Sequence, residues 1–274
     1  MRRGMEKTGG HFLAAIRRRD DVERPDAFPW TLPLATTLEE LHFPAAVTFL
    51  VGENGCGKST LLEGLAAGMQ AVAAGSADIA RDPSLAAARS FARGFRFIRR
   101  RHARTRLFLR AEDVMGYGRR LSGEAAELDA IAGELMATLP EGIGRTRAVG
   151  LARAQRAALT TRYGENPDGR SHGETFLALL QTRLVPNGLY FLDEPETPLS
   201  PARVLALMAL LKDRVAAGCQ FVIATHSPIL MALPGAAILL IEADRIEPVA
   251  YDEVEHVRLT RAFLAEPERF LRRL

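Results

Sequence analysis

Gly52-x-x-x-x-Gly57-Lys58-Ser59 sets glycines, one ammonium and one hydroxyl at a spacing suited to holding a chain of phosphates. Glu53, Asn54, Gly55 and Cys56 lie between the two outer glycines, and Thr60 follows the serine. The glycines let consecutive backbone N–H groups face inward around an anion. Lys58 can then reach the outer phosphates, Ser59 offers a hydroxyl to Mg²⁺, and a helix starting here points its positive end at the charge. An ordinary glycine turn explains the stretch poorly, because the chain has only three Lys and one falls in register. Gly52, Glu53, Asn54, Gly55, Cys56, Gly57, Lys58, Ser59 and Thr60 are therefore the expected nucleotide-binding residues. Lys58 is expected to face phosphate and to lie outside the core.

Three further groups complete a candidate site. The apolar run Gly188–Leu192 ends in Asp193-Glu194-Pro195. A carboxylate at a strand tip beside a phosphate loop can hold Mg²⁺, which assigns Asp193 and Ser59 to the metal. Glu194 is then placed to take the proton of an attacking water. His226 follows the buried run Phe221–Ala224 and could meet the terminal phosphate; a simple capping histidine is the plainer alternative. Ser171-His172-Gly173-Glu174 opens a helix 22 residues before Asp193, so Ser171 and Gly173 form a second anion site. One chain has no second phosphate for it, which points to a nucleotide bound by a partner chain.

The elements that must carry these residues alternate. His11–Ile16 reads as a first strand and Val47–Val51 as a buried one. The helix after the phosphate loop is expected to run to about Ala74, before Gly75. Phe95–Ile98 and Leu107–Leu109 read as strands. Residues 113–170 change to Ala, Leu, Glu and Arg, with helical spacing at Leu121, Leu128, Ile131 and Leu135 and a second helix at 146–161. Residues 164–169 are a loop by composition. Then follow a helix at Thr175–Leu184, the strand before Asp193, a helix at Pro201–Ala216 and the strand before His226. Ser227-Pro228 reads as a cap with Pro at the first helical position. Strands at Ile238–Ile241 and Ile246–Tyr251 and a helix from about Glu253 close the chain. Alternation of this kind means an α/β sandwich. The expected organisation is a single domain over 1–274, with a helical lobe at about 113–170 inserted in it. Trp30, the only Trp, could stack on an adenine ring or serve as a core aromatic.

Composition sets the bounds. With 274 residues the chain can bury one large core, and 47% hydrophobic and 25% charged residues are ordinary for a soluble protein. No run approaches the roughly 18 apolar residues of a membrane span. Two Cys do not make a disulfide framework, so a reducing, cytoplasmic setting is expected. The net charge of +3 does not by itself argue for nucleic acid. Eight Arg between Arg93 and Arg110 could bind it, although a solvated edge is the plainer reading.

The four motifs in this order resemble the ATP-binding-cassette superfamily, whose heads are shared by transporters and the SMC and RecF class. Asp-Glu-Pro-Glu-Thr-Pro-Leu-Ser-Pro and Ala-Thr-His-Ser-Pro-Ile-Leu look most like small stand-alone bacterial ATPases of an AAA-named branch. The resemblance implies a P-loop NTPase sandwich of ABC-head type and cofactors ATP and Mg²⁺. It also implies catalysis by Glu194 and His226, and a homodimer closing around two ATP. This chain departs from the superfamily at His172 and Glu174, lacks a Gln after 107–109, where Glu112 is nearest, and has Ser200 where the superfamily carries Asp. Transporter subunits usually keep those residues. A soluble ATPase acting on an unknown protein partner is thus the expected function, and a transporter's nucleotide-binding subunit is the alternative.

Overall fold

Five successive buried residues, Val47–Val51, show no polar alternation, as a strand covered on both faces requires. In the computed structural model this strand sits inside a seven-stranded sheet. The structure describes residues 12–73, 85–163, 172–242 and 244–272, with the backbone alone at 113–126, 158–163 and 172.

The order of elements is β1 (Leu13–Arg18), α1 (Pro33–Thr37), β2 (Glu40–His42), β3 (Val47–Val51), α2 (Lys58–Gly68), β4 (Val72–Ala73), α3 (Ala86–Arg93), β5 (Phe95–Arg99) and β6 (Thr105–Arg110). Helices α4 (Ala111–Thr138), α5 (Ile143–Tyr163) and α6 (His172–Arg183) come next. The chain then runs through β7 (Gly188–Asp193), α7 (Pro201–Ala216), β8 (Gln220–Ala224), α8 (Pro228–Met231), β9 (Ala237–Glu242), β10 (Arg245–Pro248), α9 (Glu255–Ala265) and α10 (Pro267–Leu271). The large sheet has the order β10-β9-β3-β8-β7-β6-β4 and is parallel except for β10. The α/β class expected from the sequence is what is found.

This order places β3, β8 and β7 side by side, so the loops after all three open at one sheet edge. Ligands of open parallel sheets bind at such carboxyl ends. The three loops begin at Gly52, Glu194 and Thr225.

A second sheet, β2-β1-β5, is antiparallel and was not foreseen. Gln220, itself buried, ties it to β8: its Oε1 accepts from Leu13 N at 2.9 Å and its Nε2 donates to Leu13 O at 2.8 Å. Gln220→Ala should leave both backbone groups buried and unpaired, lowering stability by about 2–4 kcal/mol. A urea midpoint equal to wild type would contradict this.

Two boundaries differ from expectation. Helix α2 stops at Gly68 instead of continuing to about Ala74. Gln70 takes a left-handed φ of 55°, the chain turns, and Val72–Ala73 pairs with β6. Gly68 is required there, because a Cβ would lie 1.9 Å from the Phe97 ring. The last strand ends at Pro248, and Tyr251 falls in a short 3₁₀ turn.

By its internal contacts the chain forms two compact units, 1–111 with 181–274, and 112–180. Within the second, α4 and α5 pack through Ala132, Val149 and Ala152, and Arg156 donates to Asp129 at 2.7 Å. The expected loop at 164–169 lies outside the described residues. Of the arginines between 93 and 110, Arg99 donates to Gly68 O, Arg101 donates to Gly218 O and covers the Phe12 ring, and Arg110 pairs with Glu63.

Candidate nucleotide site

The turn after β3 is built on left-handed glycines. Gly52 has φ 152°, and a Cβ there would come within 2.4 Å of Ile241 O. Gly57, at φ 98°, is the N-cap of α2. It has no side chain, so nothing caps the first-turn N–H groups of α2 from that position. Lys58 is buried, contrary to expectation: its Nζ folds over the loop and donates to Gly52 O at 3.0 Å and Glu53 O at 2.8 Å. Its third donor faces Cys56 Sγ at 3.9 Å, a weak acceptor that an incoming anion could displace. Uncapped helix start and ammonium together fit a polyphosphate.

Ser59, in the first turn of α2, donates through Oγ to Asp193 Oδ1 at 3.3 Å. Burial raises the Asp193 carboxyl to about 6; the Ser59 hydrogen bond opposes this, and Glu63 adds to it. A buried anion with a hydroxyl beside it suits a hard divalent cation. Among the described residues no group of three or more His, Cys, Asp or Glu side chains could hold a metal. Ser59 and Asp193 alone could supply only part of a cation's shell.

Glu194 breaks from β7 with a left-handed φ of 46°, an arrangement that persists only when the surroundings hold it. Its N–H donates to Ala224 O at 2.9 Å, Thr197 N donates to its carbonyl at 3.0 Å, and Thr197 Oγ1 donates to its Oε2 at 3.3 Å. Its Oε1 lies 3.8 Å from His226 Nε2. Burial, and after it Lys58, lower the His226 pKa, against the opposing pull of Glu194. Among the described residues the buried Nε2 of His226 has no hydrogen-bond partner. The Ser227 cap expected before α8 is present, with Oγ accepting from Leu230 N at 3.2 Å.

These groups meet around one cavity of about 530 Å³. Asn54, Gly55, Gly57, Lys58, Ser59 and Thr60 line it from the phosphate loop, and Glu194 and His226 from the neighbouring strand tips. Phe28 and Leu32 line it as well. Trp30 does not. It is buried, stacked on Phe91 and Phe95 at 5.9 and 6.2 Å, with Nε1 donating to Ser90 Oγ at 3.1 Å. The exposed aromatic at the cavity is Phe28, two residues earlier, which sequence reasoning missed. Glu196 was missed too; its carboxylate lies under the loop carrying His226.

Ser171 lies outside the described residues, and of His172 only the backbone is described. Gly173 is buried in the first turn of α6, whose other early residue Glu174 is exposed. Glu112 is exposed at the start of α4.

Residues 41–197, more than half of the chain, match the family model described as "ABC transporter". Residues 175–232 match one described as "AAA domain, putative AbiEii toxin, Type IV TA system". No curated protein matches. Among solved structures, the chain is similar to cbiO1 from Clostridium perfringens, part of the ABC transporter complex cbiONQ. The two are 16% identical over 96% of this chain and 100% of that one, with a TM-score of 0.43. The SMC head domain from Thermotoga maritima is 15% identical over 88% of this chain and 100% of that one, at a TM-score of 0.40. The ATP-binding subunit of an ABC transporter is 17% identical over 84% and 92%, at a TM-score of 0.39.

Proposed function

The chain belongs to the ABC transporter family, and from that premise we propose that it binds Mg·ATP at Gly52–Thr60 and hydrolyses it through Glu194. The observation that carries this reading is the convergence of Lys58, Ser59, Glu194 and His226 on one cavity, with Asp193 bonded to Ser59. Lys58 and the α2 N-terminus bind and orient the phosphates. Mg²⁺, held by Ser59 and Asp193, supplies charge neutralisation on phosphate oxygens when bound. Glu194 Oε1 is the proton acceptor for water, and His226 offers an unpaired Nε2 to the terminal phosphate. The direct test is phosphate release by purified protein with Mg²⁺ and ATP; absence of release would overturn the enzymatic reading.

Phe28 stacks on the base in this reading, the part expected of Trp30 if it was not core. Stacking on an aromatic face is worth about 1–3 kcal/mol. Phe28→Ala should therefore raise the Kd for ATP roughly tenfold. Trp30→Phe should leave it unchanged while lowering the melting temperature. Equal affinities for Phe28→Ala and wild type would remove Phe28 from the site.

The active form is a homodimer with two interfacial ATP. Its support is the sequence Ser171-His172-Gly173-Glu174, which would supply a second anion site that this chain's own phosphates do not require. The setting is a reducing cytoplasm, which the free Cys56 and Cys219 fit. Among the described residues no helix is long and apolar enough to cross a membrane. The departures at His172, Glu174 and Ser200 favour a stand-alone ATPase over a transporter subunit. Co-purification with a membrane-spanning partner would reverse that preference.

A further inference from the structure

The parallel ladder between β7 and β8 ends at the pair Asp193–Ala224. Beyond it both strands turn away, and the amides of His226 and Ser227 have no strand left to bond. One carboxylate takes both, with Ser227 N also donating to Thr225 Oγ1 at 3.0 Å. Glu196 Oε1 accepts from His226 N at 2.9 Å, Ser227 N at 3.1 Å and Thr225 Oγ1 at 2.6 Å. Two successive amides and a hydroxyl converging on one anionic oxygen form a concave anion site. Glu196 stands two residues after Glu194, which is itself joined to β8 through its own N–H to Ala224 O. The two loops that face each other across the 3.8 Å gap between Glu194 and His226 are therefore joined by charge-assisted bonds from a residue that does not line the cavity.

We propose that Glu196 is a positioning residue: it binds the Thr225–Ser227 loop to the Glu194 loop and so fixes where His226 meets the terminal phosphate. The inference rests on the ATPase reading for its catalytic consequence but not for its structural one. Burial raises the Glu196 pKa, and the hydrogen bonds from Thr225 and His226 oppose that rise. Among the described residues the other Glu196 oxygen, Oε2, is buried without a hydrogen-bond partner. Glu196→Gln can therefore keep Oε1 on all three donors and replace only the oxygen that bonds nothing.

Two readouts test this. The first needs no turnover: amide exchange at His226 and Ser227 in nucleotide-free protein. Glu196→Ala should accelerate it at least about tenfold, and Glu196→Gln should leave it near wild type. The second is steady-state hydrolysis. Glu196→Ala should lower kcat about ten- to a hundredfold, with KM for ATP within about twofold, and Glu196→Gln should restore most of kcat. In a His226→Ala background, Glu196→Ala should add less than about a twofold loss, because the two act as a unit. If Glu196→Ala does not fold, Glu196→Asp, shorter by one methylene, is expected to change both readouts in the same direction. Unchanged exchange in the alanine variant, or the same kcat loss with and without His226, would overturn the proposal. A wild-type protein that hydrolyses nothing yet shows the exchange pattern would overturn the ATPase reading and leave the Glu196 contact standing.

Discussion

Lys58→Ala protein is expected to show no measurable ATP binding by calorimetry. The ammonium sits in the middle of the loop, bonded to Gly52 O and Glu53 O, with its third donor on the weak acceptor Cys56 Sγ at 3.9 Å. Truncating one partner of a buried, hydrogen-bonded charge pair costs about 2–5 kcal/mol, which near the middle of that range is roughly three hundredfold in Kd. Because Lys58 is buried, its removal also frees two loop carbonyls that accept from it. Glu53 is exposed and its carbonyl can be rehydrated, whereas Gly52 is buried and its carbonyl is left unpaired, so stability should fall by about 1–3 kcal/mol and the melting temperature by several degrees. Unchanged affinity in a folded variant would refute the assignment of this loop to phosphate.

Glu194→Gln is expected to bind ATP as wild type does and to hydrolyse it at least about a hundredfold more slowly, the usual scale for losing a general base. The amide keeps the size of the side chain and the Thr197 hydrogen bond to its oxygen, but it cannot accept water's proton. Asp193→Asn should behave differently. It leaves Glu194 in place and weakens the dependence on Mg²⁺, because it removes charge from the pair with Ser59. With ATP held and not consumed, the Glu194→Gln protein should sediment as a dimer; wild-type turnover in this variant would mean that another group is the base.

The glycine turn between β3 and α2 was legible because its geometry is local: strand, turn and helix are contiguous from Val47 to Gly68. The place of Asp193, Glu194 and His226 at strand tips was legible for a related reason, since each follows or ends a continuous apolar run that reads as a buried strand. What could not be read depended on neighbours far along the chain. Phe28 and Trp30 are both aromatic and two residues apart. Only the stacking of Trp30 on Phe91 and Phe95 decides which is core and which faces the cavity. Glu196 gave a faint signal, an acid two residues past Glu194, but its meaning needs the adjacency of β7 and β8. The small antiparallel sheet escaped because β2 has three residues, too few to show alternation. Lys58 was expected to face phosphate, and its turn onto the loop carbonyls belongs to tertiary geometry that no spacing shows.

The most direct measurement is phosphate release by wild-type protein given ATP, with and without Mg²⁺, beside Lys58→Ala as the control. If Lys58, Ser59, Asp193 and Glu194 form one hydrolytic site, release proceeds with Mg²⁺, stops when the metal is chelated, and is absent in the control. Release that is equal in wild type and Lys58→Ala, or that persists without a divalent cation, would contradict it.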